Sequence, residues 1–318
     1  MEKKILQTYY NLESIPESTQ DAVVTFGVFD GLHIGHQDVL KTVRTRADDD
    51  DLVSVLFGFY PHPLVFLAPE KCPPVLMCLP KRIEVLKQLG IDIAIFVNFN
   101  EQIASMSPDT FVNSVLLDIC RAKHVVVGYA CQFGKDREGN AELLESIGHK
   151  SEFGVTVVPP TELNGLPVHS TRIRQAIARG DLGLASQLLG RIYSLSGTII
   201  RGDGRGRELG FPTANIEHGE QLCPPNGVYA IRAKLRDRWL NGVVNIGIRP
   251  TFNGTKFQIE SHFFNFDEVI YGEIIEIFFI EKIRSERKFS NMRALVQQIH
   301  RDIAVADEIL TQQPNVHL

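Results

Sequence analysis

Hydrophobic residues between Ala22 and about Pro159 fall into short runs rich in Val, Ile and Phe, which alternate with stretches of helical period. Such alternation is typical of βαβ units built around a parallel sheet. The apolar runs predict strands at 22–28, 52–59, 91–97, 123–127 and 155–158. The periodic stretches predict helices at 35–46, 81–89, 108–120, 140–150, 170–179 and 182–189. The first part of the chain is therefore predicted to be an α/β domain.

The pattern changes after Leu189. From Tyr193 to Ile280 the apolar runs are short, β-branched and interrupted by glycine, which is typical of a small antiparallel barrel. Turns are favoured at three dipeptides: Asn226-Gly227, Asn241-Gly242 and Asn253-Gly254. The stretch 291–310 predicts an amphipathic helix with one apolar face: Leu295, Ile299, Ile303, Ala306 and Leu310. The predicted domains are 1–189, α/β, and 190–318, all-β.

Composition and charge restrict the class of partner. A chain of 318 residues with a formal net charge of -5 has room for two domains but lacks the basic excess of proteins that bind nucleic acid or anionic lipid. Small molecules are the expected partners. The five cysteines are odd in number and show no CxxC spacing, which favours neither disulfides nor zinc and fits a reducing cytoplasm. No stretch reaches about 18 consecutive apolar residues and no signal peptide is recognisable, so no membrane span is expected.

A candidate phosphate site lies where the first predicted strand meets the first predicted helix, in the segment 25–36. Backbone N–H groups and the helix dipole at such a junction attract anions. Gly35 allows the backbone to approach a phosphate, and His33 and His36 supply donors that stabilise charge on phosphorus. From these residues alone, two histidines satisfied locally in a turn remain an alternative.

The segment resembles the HxGH nucleotidyltransferase family, whose members bind ATP and transfer its nucleotidyl group to a phosphate without a covalent enzyme intermediate. The resemblance adds Gly27 and Asp30 to the implied ATP contacts. A second signature of the family, ISSTxIR, resembles 168–174, where His169 replaces the first serine. The implied triphosphate contacts there are Ser170, Thr171, Arg172 and Arg174.

Two further segments narrow the resemblance to the prokaryotic bifunctional riboflavin kinase and FAD synthetase family. The segment 59–63 resembles its FxPHP motif, and 127–139 resembles its GxDFxFGxxRxG loop, with Ala130 and Cys131 where that family usually has Asp and Phe. The flavin contacts implied for the adenylyltransferase are Phe59, Pro61, His62 and Phe133.

The glycines of 196–216 lack the ending of a Walker motif and on their own favour turns. The whole string, however, resembles the riboflavin kinase domain through the unsubstituted GRxLGFPTAN core. The resemblance implies that Thr213 and Asn215 bind Mg²⁺ and, with Gly210, the phosphates of ATP.

A kinase also needs a group that accepts the proton of the attacking hydroxyl. Glu260 matches the catalytic glutamate of the family, although from the residues alone it could equally be an outward strand residue. Arg284 and Glu286 lie in 282–289, which resembles the element that covers the flavin of the kinase.

The resemblance covers about residues 18 to 311 and implies an α/β plus all-β protein. It consists of a Rossmann-like HxGH nucleotidyltransferase domain and a six-stranded antiparallel riboflavin-kinase barrel with a terminal helix. The implied activity is two ATP reactions, with riboflavin, FMN, FAD and ATP as substrates and products and Mg²⁺ as cofactor.

One alternative is a riboflavin kinase whose N-terminal domain binds nucleotide without transferring it. A second is a flavin-binding or flavin-sensing protein without turnover. A third, transfer to another acceptor such as pantetheine phosphate or nicotinate mononucleotide, is disfavoured by the attached barrel. No feature of the sequence indicates an oligomeric state.

Overall fold

The structure is a computed structural model that describes residues 5–16, 20–202, 204, 206, 209–251 and 254–313, with backbone only at 248–251 and 254–257. The chain divides into two compact units. The first comprises Met1–Pro73 and Leu79–His169, and the second comprises Pro74–Cys78 and Ser170–Leu318.

The first unit is built on a six-stranded parallel sheet with the strand order β1-β4-β3-β2-β5-β8. Its strands are β1 (Gln7–Tyr9), β2 (Ala22–Gly27), β3 (Val53–Phe59), β4 (Ile93–Val97), β5 (Ala122–Gly128) and β8 (Gly154–Val158). Two short antiparallel pairs complete the strands before residue 169: β6 (Gln132–Phe133) with β7 (Gly139–Asn140), and β9 (Glu162–Leu163) with β10 (Leu166–Pro167). The predicted α/β architecture is confirmed.

Helices connect these strands. They are α1 (Ile34–Asp49), α2 (Leu64–Leu67), α3 (Leu79–Gln88), α4 (Glu101–Ala104), α5 (Pro108–Thr110), a π-helix (Phe111–Ile119) and α6 (Ala141–Ser151). Three 3-10 turns lie at Leu12–Ser14, Pro69–Lys71 and Lys135–Arg137. Central strands are buried on both faces, as expected for a parallel sheet covered by helices, so they read as continuous apolar runs.

Two features of this unit differ from the pattern-based prediction. Strand β1 adds a three-residue edge to β4, which is too short to give a periodic signal. The predicted helix 108–120 is α-helical only at its start and continues as the π-helix, where the Cys120 N–H donates to the Val115 carbonyl five residues earlier.

The second unit contains a closed antiparallel barrel with the strand order β11-β12-β15-β14-β13-β16. Its strands are β11 (Ser194–Ile200), β12 (Ala214–Glu217), β13 (Gly227–Leu235), β14 (Arg238–Thr251), β15 (Gly254–Phe263) and β16 (Ile274–Arg284). Its helices are α7 (Ser170–Ala178), α8 (Leu182–Leu189) and the terminal α9 (Met292–Gln312). The predicted six-stranded barrel with a terminal helix is confirmed, and Ala306 and Leu310 of α9 are buried against Val228 and Val243.

The turn predicted at Asn241-Gly242 is wrong. Both residues lie within β14, and the hairpin between β13 and β14 turns instead near Arg236, whose φ is 55°. Gly242 serves close packing of the sheet: a Cβ added there would lie 2.4 Å from the His262 carbonyl oxygen of β15. Of the other two dipeptides, Asn226 lies just before β13 and Gly227 is its first residue. Asn253 of the third dipeptide lies outside the described residues.

The segment Pro74–Cys78 belongs to the second unit although it precedes α3 in sequence. Val75 forms a parallel bridge with Gln221. The Gln221 amide nitrogen donates to the carbonyls of Leu76 and Ser194, at 3.2 and 2.7 Å, and thereby fastens the segment to β11. An isolated fragment beginning near residue 190 would lack this attachment.

Candidate active sites

The first candidate site is the loop between β2 and α1. His33 is the N-cap of α1, and its Nδ1 accepts a hydrogen bond from the backbone N–H of His36 at 3.2 Å. The two imidazoles are stacked, with ring centroids 3.6 Å apart. Because Nδ1 accepts, the proton of a neutral His33 lies on Nε2, which is then a hydrogen-bond donor. The prediction that His33, Gly35 and His36 share one turn is borne out by this geometry, while their contact with ATP stays a prediction.

A buried arginine of α3 holds this loop. Arg82 is 2% exposed, and its Nη1 donates to the Val28 carbonyl at 3.1 Å. Its Nη2 lies 3.7 Å from Oδ1 of Asp30, which is equally buried, and its guanidinium lies over the ring of Phe96. Asp30, a predicted ATP contact, is thus paired with a cation of the protein. A buried ion pair fixes geometry because separating its members leaves an uncompensated charge.

The loop also has unusual backbone conformations, with positive φ at two residues other than glycine. Phe29 has φ 49° and Leu32 has φ 40°. Both side chains are buried, and Phe29 packs on the His36 ring with centroids 4.8 Å apart. Such conformations persist only where the surroundings hold them. Arg82 helps to hold these conformations, and it was not among the residues predicted from the sequence. The available signal was an arginine on the same helical face as Val85 and Leu86.

Replacing Arg82 by lysine is expected to lower kcat/KM for the adenylyl transfer that the resemblance implies by about tenfold, because lysine keeps the charge but loses the planar fork that reaches both Val28 and Asp30. The phosphorylation that the resemblance implies for the barrel should be unchanged. Arg44→Lys is the matched control, since Arg44 pairs with Asp92 and Asp48 of the same unit without touching this loop. Equal losses in the two variants would contradict a specific role for Arg82.

A cavity of about 290 Å³ opens beside the loop. It is lined in part by Gly27, His33, His36, Ala130, Cys131 and His169. The three residues that depart from the family pattern therefore lie at the cavity. Burial raises the pKa of the Cys131 thiol to about 12, so this group is neutral at physiological pH and is not a thiolate nucleophile.

The predicted flavin contacts of the first unit lie at the ends of β3 and β6. Phe59 packs edge-on against Phe99, and His62 Nδ1 accepts from the Leu64 N–H at 3.1 Å, just after the cis Tyr60-Pro61 peptide. Phe133 is buried in the core against Phe26. Contact of Phe59, Pro61, His62 and Phe133 with flavin stays a prediction.

The segment 168–174, which resembles the second signature of the HxGH family, leads into α7 in the second unit. Ser170 is the first residue of this helix, followed by Thr171, Arg172 and Arg174. Arg174 Nε donates to the Pro74 carbonyl at 2.8 Å, so this side chain also fastens the segment Pro74–Cys78. The predicted triphosphate contacts of the α7 start stay predictions.

The second candidate site lies on three adjacent barrel strands. Asn215 of β12 is directly opposite Glu260 of β15, and Glu260 is directly opposite Asn245 of β14. Directly opposed residues of neighbouring strands share one face of a sheet. The register therefore brings the predicted base and a predicted metal-binding amide together, and it adds Asn245.

Glycines let the loop after β11 approach these residues. A Cβ added to Gly202 would lie 2.0 Å from Nδ2 of Asn215, and one added to Gly206 would lie 3.0 Å from Oγ1 of Thr213. Gly210, a predicted phosphate contact, has φ 84°, which suits glycine. Within the matched motif, Asp203, Arg205, Arg207 and Glu208 lie outside the described residues.

A cavity of about 230 Å³ adjoins this cluster and is lined in part by Gly202, Thr213, Asn215 and Tyr271. His262 lies two residues after Glu260, and its Nδ1 donates to the Pro212 carbonyl at 2.9 Å, next to Thr213. The site thus combines hydroxyl, amide and carboxylate oxygens beside an open cavity.

The structure gives Arg284 a structural partner. Its guanidinium forms a bidentate ion pair with the buried Asp302 of α9, with an Nη2 to Oδ2 distance of 2.8 Å. Exposed Glu286 accepts from the Asn226 side chain at 3.3 Å. Contact of Arg284 and Glu286 with flavin stays a prediction.

Comparisons with known proteins match each part of the chain to a family. Residues 15–172 match the family model described as FAD synthetase, and residues 189–310 match the one described as riboflavin kinase. A bifunctional riboflavin kinase/FMN adenylyltransferase of Buchnera aphidicola is 33% identical over 99% of this chain and 99% of its own length. The protein of that description from Bacillus subtilis is 36% identical over 91% and 92%.

A solved structure from Streptococcus pneumoniae, described as a macrolide-efflux protein, matches with a TM-score of 0.85 and 30% identity, covering 95% of this chain and 99% of that one. In the part of this chain that the structure describes, no helix is long and apolar enough to cross a membrane.

A parallel-sheet domain and a closed barrel, each matched by a family of ATP-using enzymes, define a two-domain transferase. The chain belongs to the family of bifunctional riboflavin kinase/FMN adenylyltransferases.

Proposed function

We propose that the barrel transfers the γ-phosphoryl group of ATP to the 5′-hydroxyl of riboflavin, with Glu260 as general base. The observation that carries the assignment is the direct opposition of Glu260 and Asn215 on neighbouring strands beside the glycine loop. Glu260 accepts the hydroxyl proton as the new O–P bond forms, and the bond between the γ-phosphorus and the β,γ-bridging oxygen breaks. FMN and ADP are the products.

The oxygen donors of this cluster suit Mg²⁺. Thr213 offers a hydroxyl oxygen and Asn215 an amide oxygen, both of which are hard ligands. These two side chains would supply only part of the shell. Mg²⁺ typically completes its shell with water and phosphate oxygens. When bound, it would neutralise charge on the β- and γ-phosphates.

The N-terminal domain, 1–189, joins FMN to AMP in this proposal. An oxygen of the FMN phosphate attacks the α-phosphorus of a second ATP, and the bond to the leaving pyrophosphate breaks. The His33 and His36 imidazoles, together with the N–H groups at the start of α1, stabilise the charge that develops on the α-phosphoryl oxygens. Ser170, Thr171, Arg172 and Arg174 are assigned to the triphosphate.

The functional division follows the predicted boundary, with adenylyl transfer in 1–189 and phosphorylation in 190–318. We place the chain in the cytoplasm, because each of the five cysteines, all of which the structure describes, is a thiol rather than half of a disulfide, as in a reducing compartment. Riboflavin, FMN, FAD and ATP are its small-molecule partners.

Product analysis of the intact chain tests the proposal. With riboflavin, ATP and Mg²⁺, chromatography should show FMN first and FAD later, and FMN supplied directly should also yield FAD. Phosphorylation without any FAD from added FMN would favour the kinase-only alternative. Stoichiometric flavin binding without either product would favour the flavin-binding alternative.

A further inference from the structure

Gln258 lies on β15 two residues before Glu260, so both side chains are on the same face of the strand. Its amide nitrogen donates to Oδ1 of Asn215 at 3.0 Å and to Oε1 of Glu260 at 2.5 Å. One NH₂ group therefore directs its two protons to the two residues assigned to metal binding and to base catalysis. We propose that Gln258 is a positioning residue of the phosphoryl transfer, an inference that rests on the proposed function of the barrel.

The first consequence concerns the orientation of the Asn215 amide. Its oxygen faces Gln258, whereas its nitrogen faces Gly202, where an added Cβ would lie 2.0 Å from Nδ2 and 3.2 Å from Oδ1. Only the oxygen of an amide is an acceptor and cation ligand. By donating to Oδ1, Gln258 selects the orientation in which the oxygen is on the Glu260 side. A carbonyl-type oxygen has two lone pairs, so it can accept this bond and still bind a cation.

The second consequence concerns the Glu260 carboxylate. A hydrogen bond to a charged acceptor is stronger than a neutral one, and here it fixes the rotation of the carboxylate group. A base that is already held in one orientation lowers the entropic cost of reaching the transition state. Gln258 thus couples the position of the base to the position of the metal-binding oxygen.

The test begins with Gln258→Met, which keeps the length of the side chain and removes both hydrogen bonds. We expect kcat for riboflavin phosphorylation to fall by about tenfold to a hundredfold, the usual loss for a hydrogen bond to a charged group. The KM for riboflavin should stay within about twofold, since no flavin contact is removed. Calorimetric titration with ADP should show that the gain in affinity on adding Mg²⁺ is several-fold smaller than in the parent.

Gln258→Glu supplies a second, polar variant of the same size. A carboxylate cannot donate to Oδ1 of Asn215 or to Oε1 of Glu260, so kcat should fall at least as far as in Gln258→Met. Gln312→Met is the matched control, because the Gln312 amide also donates to a glutamate, Glu308, but on the surface of α9. A fluorescence titration with riboflavin reports on the folding of the barrel in each variant, and FAD formation from added FMN reports on the other domain.

Unchanged kcat and an unchanged Mg²⁺ effect on ADP binding in Gln258→Met would overturn the proposal. A fall in kcat with the Mg²⁺ effect on ADP binding unaltered would also overturn it, because it would indicate a merely structural role. Full activity of Glu260→Gln would instead remove the base assigned under the proposed function. The two failures are therefore distinguishable.

Discussion

Replacing Glu260 by glutamine is expected to lower kcat for riboflavin phosphorylation by about a hundredfold to ten-thousandfold, the contribution typical of a positioned general base. Glutamine is nearly isosteric but cannot accept the proton of the attacking hydroxyl. Riboflavin affinity should be retained, because the substitution changes neither the shape of the strand nor its register with Asn215. Steady-state phosphorylation and a fluorescence titration with riboflavin measure the two quantities.

Two controls accompany this variant. FAD formation from added FMN depends on the other domain of the same chain and should be unaffected. Glu217→Gln changes an exposed glutamate of β12, two residues beyond Asn215, and should leave both activities at the parental level. If Glu260→Gln phosphorylates riboflavin at the parental rate, Glu260 is not the base.

The second large effect is expected at the turn that begins α1. His36→Ala should lower kcat/KM for FAD formation by about a hundredfold to a thousandfold, the usual loss when one pre-placed donor of a transition-state site is removed. His33→Asn should cause a loss of similar size while keeping a side-chain acceptor for the His36 N–H, because Asn is a favourable N-cap. FAD formation from FMN is the measurement.

The control for both histidine variants is His149→Ala, which removes an imidazole from the exposed last turn of α6. Riboflavin phosphorylation serves as the internal reference in all three proteins. Should His36→Ala and His33→Asn form FAD as fast as His149→Ala, the turn would be a structural feature only.

Much of the fold could be predicted because its signals are local. The strands β2, β3 and β4 are almost entirely buried and mostly apolar, whereas β5 is apolar and buried mainly from Val125 to Val127. The barrel strands follow after Leu189, where the apolar runs become short and β-branched. The His33 turn was predictable for the same reason, since its residues are neighbours in sequence. The roles of Thr213 and Asn215 were predicted from the family resemblance, because hydrophobic periodicity carries no information about them.

Contacts between distant segments could not be predicted in this way. Arg82 lies 54 residues from the Val28 carbonyl that it holds, and Gln258 lies 43 residues from Asn215. At Gly242 a local signal was misleading. The Asn-Gly dipeptide favours a turn, but the residue lies in a strand that packs closely against β15 because glycine has no Cβ. Register and burial, which depend on the whole fold, decided each of these cases.

The central claim, two successive ATP reactions at two sites of one chain, is tested most directly by following two labels into product. Riboflavin is incubated with the intact protein, Mg²⁺ and a mixture of ATP labelled in the α-phosphate and ATP labelled in the γ-phosphate. We predict that FMN carries only the γ label, whereas FAD carries one phosphorus from each source. FMN that carries the γ label and never gives rise to doubly labelled FAD would contradict the account.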